Sequence, residues 1–354
     1  MEMNKDSKIY IAGHTGLLGS ALMEELADGG FSSIVTRSHE ELDLTNKDGV
    51  LSFFSAERPE YVFLAAGKVG GIIDNKTYPA EYLRVNLAIQ NNVFEAAREF
   101  EVKNLVFYGS SCTYPKECPQ PMKEEYLLTG MVEETSLGYA AAKIAGLVGC
   151  RVYNEQYGKN RFIALTPNSM YGPNDNFDLD NCHVLSALIR RFHEAKASGA
   201  GNVTLWGSGR PRREFIYSRD VAAASLFAVQ HSEHLENRHY NIGTGIDYSI
   251  KKLASIIAEI VDYRGEVLWD KSKPDGAPRK LLDSTRFLSL GWKPKTDLRD
   301  GLQKTYQWYR SFRRVGRPCR GGATCPTELP PGEPGHPLRE MAGPGGLKPS
   351  TCLA

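Results

Sequence analysis

Tyr139 and Lys143 stand four residues apart in Tyr139-Ala140-Ala141-Ala142-Lys143, a stretch of good helix formers. Residues i and i+4 are neighbours on a helix, so a phenol and an ammonium share one face. A cation held beside a phenol favours phenolate, drawing a group with an ordinary pKa near 10 toward acid–base work at neutral pH. Upstream lies Tyr108-Gly109-Ser110-Ser111-Cys112, at the end of an apolar run from Leu105 to Tyr108 that reads as a strand. From that strand end Ser110 can hydrogen-bond the oxygen that Tyr139 serves. A hydroxyl, a phenol and an ammonium around one oxygen outline a carbonyl-reduction site. Tyr-x3-Lys alone also decorates many solvent-facing helices, so the reading needs a hydride source.

The amino-terminal segment supplies one. Lys8-Ile9-Tyr10-Ile11-Ala12 reads as a short buried strand, followed by Gly13-His14-Thr15-Gly16-Leu17-Leu18-Gly19 and a helical pattern through Leu26. Strand, glycine turn and helix in that order form a dinucleotide fingerprint in its proper context, which outweighs the alternative of a merely tight turn. The glycines let backbone approach a pyrophosphate, and the helix N-terminus offers free N–H groups and a favourable dipole. The second strand, Ser33 to Thr36, ends in Arg37-Ser38-His39 where an NAD-binding chain carries an acid for the ribose 2′-hydroxyl. A guanidinium and a hydroxyl there suit a 2′-phosphate and favour NADP(H). Asp43 and Leu44 are positioned to border the adenine.

The elements that must hold these groups alternate. Tyr61 to Ala66, a helix from about Pro79 to Phe100, Lys103 to Tyr108, the Tyr139 helix to Tyr157 and Phe162 to Thr166 follow one another. Such alternation predicts an α/β fold of Rossmann type, a doubly wound parallel sheet with ligands at the strand carboxyl ends. After Pro167 longer loops and a basic helix (Val184 to Lys196) predict a smaller α/β substrate-binding domain. The expected division is 8–166 for the NADP-binding part, with 215–247 returning to it, and 167–214 with 248–312 for the substrate part. From Arg313 to the end, Pro and Gly are dense and aromatic residues almost absent. No packed structure is expected over 313–354.

Composition narrows the classes. The 354 residues carry a net charge of +1, which removes the general electrostatic case for nucleic acid or membrane as partner. No apolar run approaches the roughly 18 residues of a membrane span, and the polar start reads as lacking a secretory signal. Of the seven cysteines, Cys112, Cys118, Cys150 and Cys182 lie within the patterned region without Cys-x2-Cys spacing. They read as reduced cytoplasmic thiols, with no metal site expected.

The chain from about Lys8 to Phe312 resembles the extended short-chain dehydrogenases/reductases, and within them the GDP-L-fucose synthase family. The resemblance is carried by Ala12-Gly13-His14-Thr15-Gly16, Lys68-Val69-Gly70-Gly71-Ile72, Gly109 to Lys116, Tyr139 to Lys143, Tyr171-Gly172-Pro173, Asp175-Asn176-Phe177, Trp206-Gly207-Ser208-Gly209 and Lys273-Pro274-Asp275-Gly276. It implies a two-stage reaction on GDP-4-keto-6-deoxymannose. The 4-keto group acidifies the protons at C3 and C5, so a base and an acid invert both centres through enolates, and hydride from NADPH then reduces C4. By resemblance Cys112 is the base and His183 the acid, Tyr139 gives the proton to the C4 oxygen, Lys143 supports it and binds the nicotinamide ribose, and Ser110 orients the carbonyl. Pro167-Asn168-Ser169-Met170 and His183 also border the cofactor. Arg191, Arg213 and Trp206 are candidates for the GDP diphosphate and base, with Asp275 beside them. A homodimer through the helices around Pro79–Phe100 and Tyr139–Tyr157 is also implied.

Without the resemblance, Cys112 reads equally as a small buried hydrophobe and His183 as a helix-start residue. The chain also departs from the family where bacterial members carry arginine: Thr15 stands inside the glycine turn and His39 after the second strand, leaving Arg37 and Ser38 for a 2′-phosphate and NAD as a second cofactor. Rival readings are a related GDP-sugar epimerase or reductase, a UDP-hexose 4-epimerase, for which Arg37 is the wrong residue type, and a non-catalytic NADP-binding protein.

Overall fold

The computed structural model describes residues 3–158, 161–179 and 181–314, and the expected unpacked stretch beyond Arg314 lies outside them. In chain order the elements are β1 (Ile9–Ala12), α1 (Leu17–Asp28), β2 (Ile34–Val35), α2 (Lys47–Glu57), β3 (Tyr61–Leu64), α3 (Ile72–Thr77), α4 (Pro79–Glu99), β4 (Asn104–Tyr108) and α5 (Leu137–Tyr157). They continue with β5 (Phe162–Pro167), β6 (Ser169–Tyr171), α6 (Val184–Ser198), β7 (Asn202–Trp206), β8 (Arg212–Tyr217), α7 (Ser218–Gln230), β9 (His239–Ile242), β10 (Asp247–Ser249) and α8 (Ile250–Val261). The last are β11 (Glu266–Asp270), β12 (Arg279–Lys280), α9 (Thr285–Leu288) and α10 (Leu298–Arg314).

Six strands in the order β2-β1-β3-β4-β5-β9, each pair parallel, form the main sheet. β1, β3, β4 and β5 are buried along their whole length, as continuous apolar runs covered on both faces require. One face packs against α1 and α7 through Leu18, Leu22, Leu26, Val221 and Val229. The other packs against α2, α4 and α5 through Phe53, Phe54, Val93, Phe94 and Leu147. This is the doubly wound Rossmann-type sheet read from the sequence. The order in which the strands are added reverses between β1 and β3, so the cofactor crevice of such a sheet opens at their carboxyl ends.

A third core of Leu185, Leu188, Phe192, Leu253, Ile257, Leu302 and Tyr306 joins α6, α8 and α10 to two small sheets, β7 with β11 and β8 with β6, β10 and β12. Here the structure departs from the expected 215–247 return. Phe215–Tyr217 belongs to β8 in the small sheet, and only α7 and β9 return to the main one. The physical reason is that β8 faces both cores: Ile216 packs into the core of α1 and α7 while Phe215 and Tyr217 pack into that of α6 and α8. Its alternation reads as a strand but leaves the choice of sheet to tertiary contacts.

Two close approaches set the site's framework. A Cβ on Gly19 would lie 2.0 Å from the Gly13 carbonyl oxygen, and one on Gly13, whose φ is +83°, would lie 2.8 Å from the Ala66 nitrogen. The turn, the first helix and the end of β3 therefore meet backbone to backbone. Likewise a Cβ on Gly146 would fall 2.2 Å from the Phe107 ring, so α5 rides directly on β4. Gly19→Ala is expected to destabilise the fold by about 1–3 kcal/mol through overpacking, whereas Gly201→Ala, with nothing within 4 Å of its Cβ, stays within about 0.5 kcal/mol of the parent. Urea unfolding midpoints check both.

Candidate active site

At the carboxyl end of β4 the chain turns sharply. Ser110 caps a short 3₁₀ turn over Ser111–Thr113, its Oγ accepting the Cys112 N–H at 3.2 Å. That turn brings Ser110 and Cys112 onto the side where α5 passes. The Tyr139 phenol is hydrogen-bonded to Ser110, and the Lys143 ammonium donates to the Tyr108 carbonyl at 2.8 Å while sitting 4.8 Å from the Phe107 ring centre. Tyr82 of α4 packs edge-on to Tyr139, ring centres 6.2 Å apart, and hydrogen-bonds to Asp74. The groups read from local spacing thus converge.

Their electrostatics differ from expectation. Burial, followed by the neighbouring Cys112, holds the Tyr139 phenol well above its ordinary value, and the Ser110 bond offsets this only in part. The phenolate expected from the Tyr139–Lys143 pair is not favoured, because the ammonium lies 5.9 Å from the ring and is committed to a carbonyl. A phenol that keeps its proton suits a proton donor. Burial lowers Lys143 itself to about 8.

Cys112 has a cation partner that sequence reasoning missed. Lys280 Nζ lies 4.0 Å from Cys112 Sγ, and the Arg213 guanidinium also acts on that sulfur. β12 pairs with β8 so that Lys280 stands opposite Arg213. Arg213 is buried, its Nη1 donating to the carbonyls of Arg212 at 2.8 Å and Ala277 at 2.6 Å. It therefore faces the thiol region and does not line the cavity that holds the other substrate candidates. Only the tertiary pairing of β12 with β8 reveals Lys280, which sits 168 residues from its thiol.

His183 is the residue preceding α6, with an exposed side chain that makes no capping bond. Asp175, half-buried, accepts the Asn176 N–H at 2.8 Å and the Ser186 hydroxyl. Burial pushes its carboxyl up and the His183 imidazole pulls it back down. A bond from Gly71 N–H to the Asn181 carbonyl, 3.1 Å, ties the Lys68–Gly71 loop to this segment.

Arg191, Trp206 and Asp275 meet in one pocket with Leu188, Ile250, Trp269 and Pro274. Asp275 fixes the Trp206–Gly209 turn by accepting the Ser208 N–H at 2.7 Å and hydroxyl at 2.6 Å. Lys273 Nζ stands 5.3 Å from the Trp206 ring centre. Trp269 was not read from the sequence. It belongs here because a Cβ on Gly209 would lie within 2.7 Å of its indole, so the glycine lets it into the wall.

At the glycine turn the fit to a dinucleotide is good. α1 starts at Leu17 with no side-chain cap on its N-terminus, Gly16 N–H bonds the Gly13 carbonyl at 3.0 Å, and Leu18 and Gly19 are buried behind the turn. The buried His14 Nδ1 has no hydrogen-bond partner, an orphan that a ligand would satisfy. Thr15 is exposed beside it.

The ribose end is more self-contained than expected. Arg37 donates to Glu57 at 2.6 Å and to its neighbour's carbonyl, Ser38 N–H is taken by the Glu41 carboxylate at 2.7 Å, and His39 is exposed 4.0 Å from Asp43. Asp43 is turned onto Thr45, and Leu44 is buried in the core. Of Pro167, Asn168, Ser169 and Met170, Asn168 is buried and bonded to Glu214, the others following β5 into β6. Among the described residues no group of three or more His, Cys, Asp or Glu is arranged to hold a metal, and no helix is long and apolar enough to cross a membrane.

Residues 9–243 match the NAD dependent epimerase/dehydratase family. The chain is 52% identical over 306 residues to a protein named GDP-L-fucose synthase 1 from Arabidopsis thaliana, covering 86% of this chain and 94% of that one. It is 48% identical over 309 residues to the GDP-L-fucose synthase of Escherichia coli K12, covering 85% and 96%. A solved GDP-mannoheptose C4 reductase from Campylobacter jejuni with NADP bound superimposes with a TM-score of 0.79 at 42% identity, over 87% of this chain and 99% of that one.

Lys143 allows a test of the site's electrostatics without any ligand. Its folded value, about 8, lies below the ordinary lysine value, so the unfolded chain holds the extra proton between about pH 8 and 10.5 and stability rises with pH across that window. Relative to Lys143→Met, the parent is expected to gain on the order of 3 kcal/mol from pH 7 to pH 10.5. Unfolding free energies at both pH values check this, and a gap that does not move with pH contradicts it.

Proposed function

The chain belongs to the NAD dependent epimerase/dehydratase family, in its GDP-L-fucose synthase branch, and from that premise we propose that it converts GDP-4-keto-6-deoxymannose to GDP-L-fucose by 3,5-epimerisation and 4-reduction in one cleft. The observation that carries this reading is the meeting of Ser110, Cys112, Tyr139 and Lys143 at one strand end, with Lys280 4.0 Å from the thiol. A plain reductase needs the first, third and fourth of these. A thiol with Lys280 4.0 Å away and the Arg213 guanidinium acting on it is equipment beyond those three.

In the proposed sequence Cys112 takes the proton beside the 4-keto group, and His183 returns one to the opposite face of the enolate at C3 and at C5. Ser110 donates to the carbonyl oxygen throughout, steadying the charge that grows there. The nicotinamide, when bound, supplies hydride to C4. Tyr139, kept protonated by burial, then gives its proton to the C4 oxygen, and Lys143 stabilises the charge left behind. Arg191 and Trp206, in the cavity beside α6, are assigned to the diphosphate and guanine of the GDP group.

For the cofactor we assign NADPH, with Gly13 to Gly19 and the α1 N-terminus on the pyrophosphate and Arg37, Ser38 and His39 near the 2′-phosphate. With Arg37 bonded to Glu57, NADPH has to draw the guanidinium away, which leaves room for NADH as a weaker substitute. We infer a cytoplasmic setting, consistent with the free thiols of Cys112, Cys118, Cys150 and Cys182. A homodimer is assigned to the outer face of α4 and α5, where Leu83, Val148 and Val152 are exposed. Val148→Glu is expected to shift sedimentation velocity from dimer to monomer, and a parent that already sediments as monomer contradicts the assignment.

The reaction is tested by incubating the protein with GDP-4-keto-6-deoxymannose and NADPH in deuterated water, following cofactor absorbance and deuterium at C3 and C5. NADPH oxidation with deuterium at both carbons is expected. Tyr139→Phe should lose 10²–10⁴-fold in reduction while keeping exchange, and Cys112→Ser should lose exchange. Oxidation without exchange would make the chain a C4 reductase only, as in the heptose enzyme's name. Neither signal would remove this substrate.

A further inference from the structure

Asn241, in β9 at the edge of the main sheet, takes no part in the proposed sequence of events and is fully buried. Its carboxamide is nonetheless bonded at both ends. Oδ1 accepts the Tyr114 hydroxyl at 2.6 Å, and Nδ2 donates to the carbonyls of Met122 at 3.0 Å and Asp283 at 3.1 Å. These partners fix which way the amide faces, since turned over it would set its oxygen against two carbonyl oxygens. The Asn241 N–H is taken by the Glu124 carboxylate at 3.1 Å, and His239 Nε2 lies 3.0 Å from the Tyr114 oxygen. One side chain thus joins three segments that are distant in sequence.

Two of those segments carry the thiol and its cation. Tyr114 comes two residues after Cys112, directly past the turn that Ser110 caps, and Asp283 comes three residues after Lys280. The chain around Asp283 is pinned as well. Met122 N–H donates to the Leu281 carbonyl at 2.7 Å, Asp283 N–H donates to the Met122 carbonyl at 2.8 Å, and Leu281 N–H donates to the Gln120 side chain at 2.9 Å. Tyr114, Met122 and Leu282 pack together in a small core of their own. The contact from Lys280 Nζ to Cys112 Sγ, by contrast, is 4.0 Å long and joins residues 168 apart in the chain. So long a contact does not hold two segments in register, and the order has to come from the bonds on either side of it.

We infer that Asn241 is a positioning residue: through Tyr114 on one side and Asp283 on the other, it fixes the segment bearing Cys112 against the strand bearing Lys280. Removing either partner leaves buried polar groups unpaired, and both segments are then free to relax away from it. The consequence for epimerisation rests on the assignment of Cys112 as the base, whereas the approach of ammonium to thiol is a property of the protein alone.

The test reads that approach on the full chain without substrate. o-Phthalaldehyde joins a neighbouring amine and thiol into an isoindole with loss of two waters, and the Cys112–Lys280 adduct is counted by peptide mass spectrometry. The parent is expected to form it. Tyr114→Phe, which removes only the hydroxyl, and Asn241→Ser are each expected to slow its formation about 5- to 20-fold, the effect of one buried group left unpaired. Tyr263→Phe is the control, since it removes a hydroxyl bonded to the Ala200 carbonyl in the third core, and should stay within about twofold of the parent. Unchanged rates in Tyr114→Phe and Asn241→Ser overturn the inference, and so does an equal slowing in Tyr263→Phe, which would mark general loosening. A parent that forms no adduct removes the contact and the inference together. If Asn241→Ser does not fold, Tyr114→Phe decides alone. Deuterium exchange at C3 and C5 is expected to fall in the same two variants with NADPH binding unchanged, and exchange that holds while the adduct slows overturns the role in catalysis. Absence of exchange in the parent counts against the proposed reaction and leaves the adduct result standing.

Discussion

The bond from the Lys143 ammonium to the Tyr108 carbonyl is the constraint around which the rest is arranged. Charge is costly to bury without a partner, and this one has a carbonyl at 2.8 Å and an aromatic ring below it. It joins the helix that bears the phenol to the strand end that bears the hydroxyl and the thiol. Gly146 permits the approach by leaving room for Phe107, and Phe94 packs edge-on to the same ring from α4, centres 5.6 Å apart. β4 in turn lies between β3 and β5 in the middle of the sheet. Every group of the reducing half is therefore referred to the stiffest part of the molecule.

The other half of the site has a different origin. Lys280 and Arg213 come from β12 and β8, His183 and Arg191 from the start and middle of α6, and all belong to the part built on the small sheets. β8 ties the two parts together, since alternate residues along it enter different cores. Glu214 strengthens that junction: its buried carboxylate accepts from Asn168 after β5, from the Thr244 and Gly245 N–H groups after β9, and from Leu282 N–H. A carboxylate satisfied from so many directions resists displacement of any one. The cleft between the parts is thus held by polar bonds as well as by packing.

How much of this was legible in the sequence depends on range. The glycine turn, the Tyr139–Lys143 pair and the order of strands rest on neighbours within a few residues, and the parallel sheet follows from them. Lys280 was invisible because nothing near it in the chain refers to Cys112. Asp175 stood in a recognised motif without a partner in view, because only the fold brings Ser186 to it. The phenolate expected of Tyr139 failed for a different reason: spacing gave the neighbour but not the burial, and burial dominated. Arg37 likewise looked available as a strand-end cation, whereas Glu57, twenty residues on, already holds it.

The separation of 168 residues between Cys112 and Lys280 has a meaning in time. As the chain leaves the ribosome, the nucleotide turn, the thiol and the phenol emerge first, and the Lys280 ammonium reaches the sulfur only when β12 pairs with β8. The thiol and its cation are therefore brought together only by the completed fold, not by any part of the chain that could form earlier on its own.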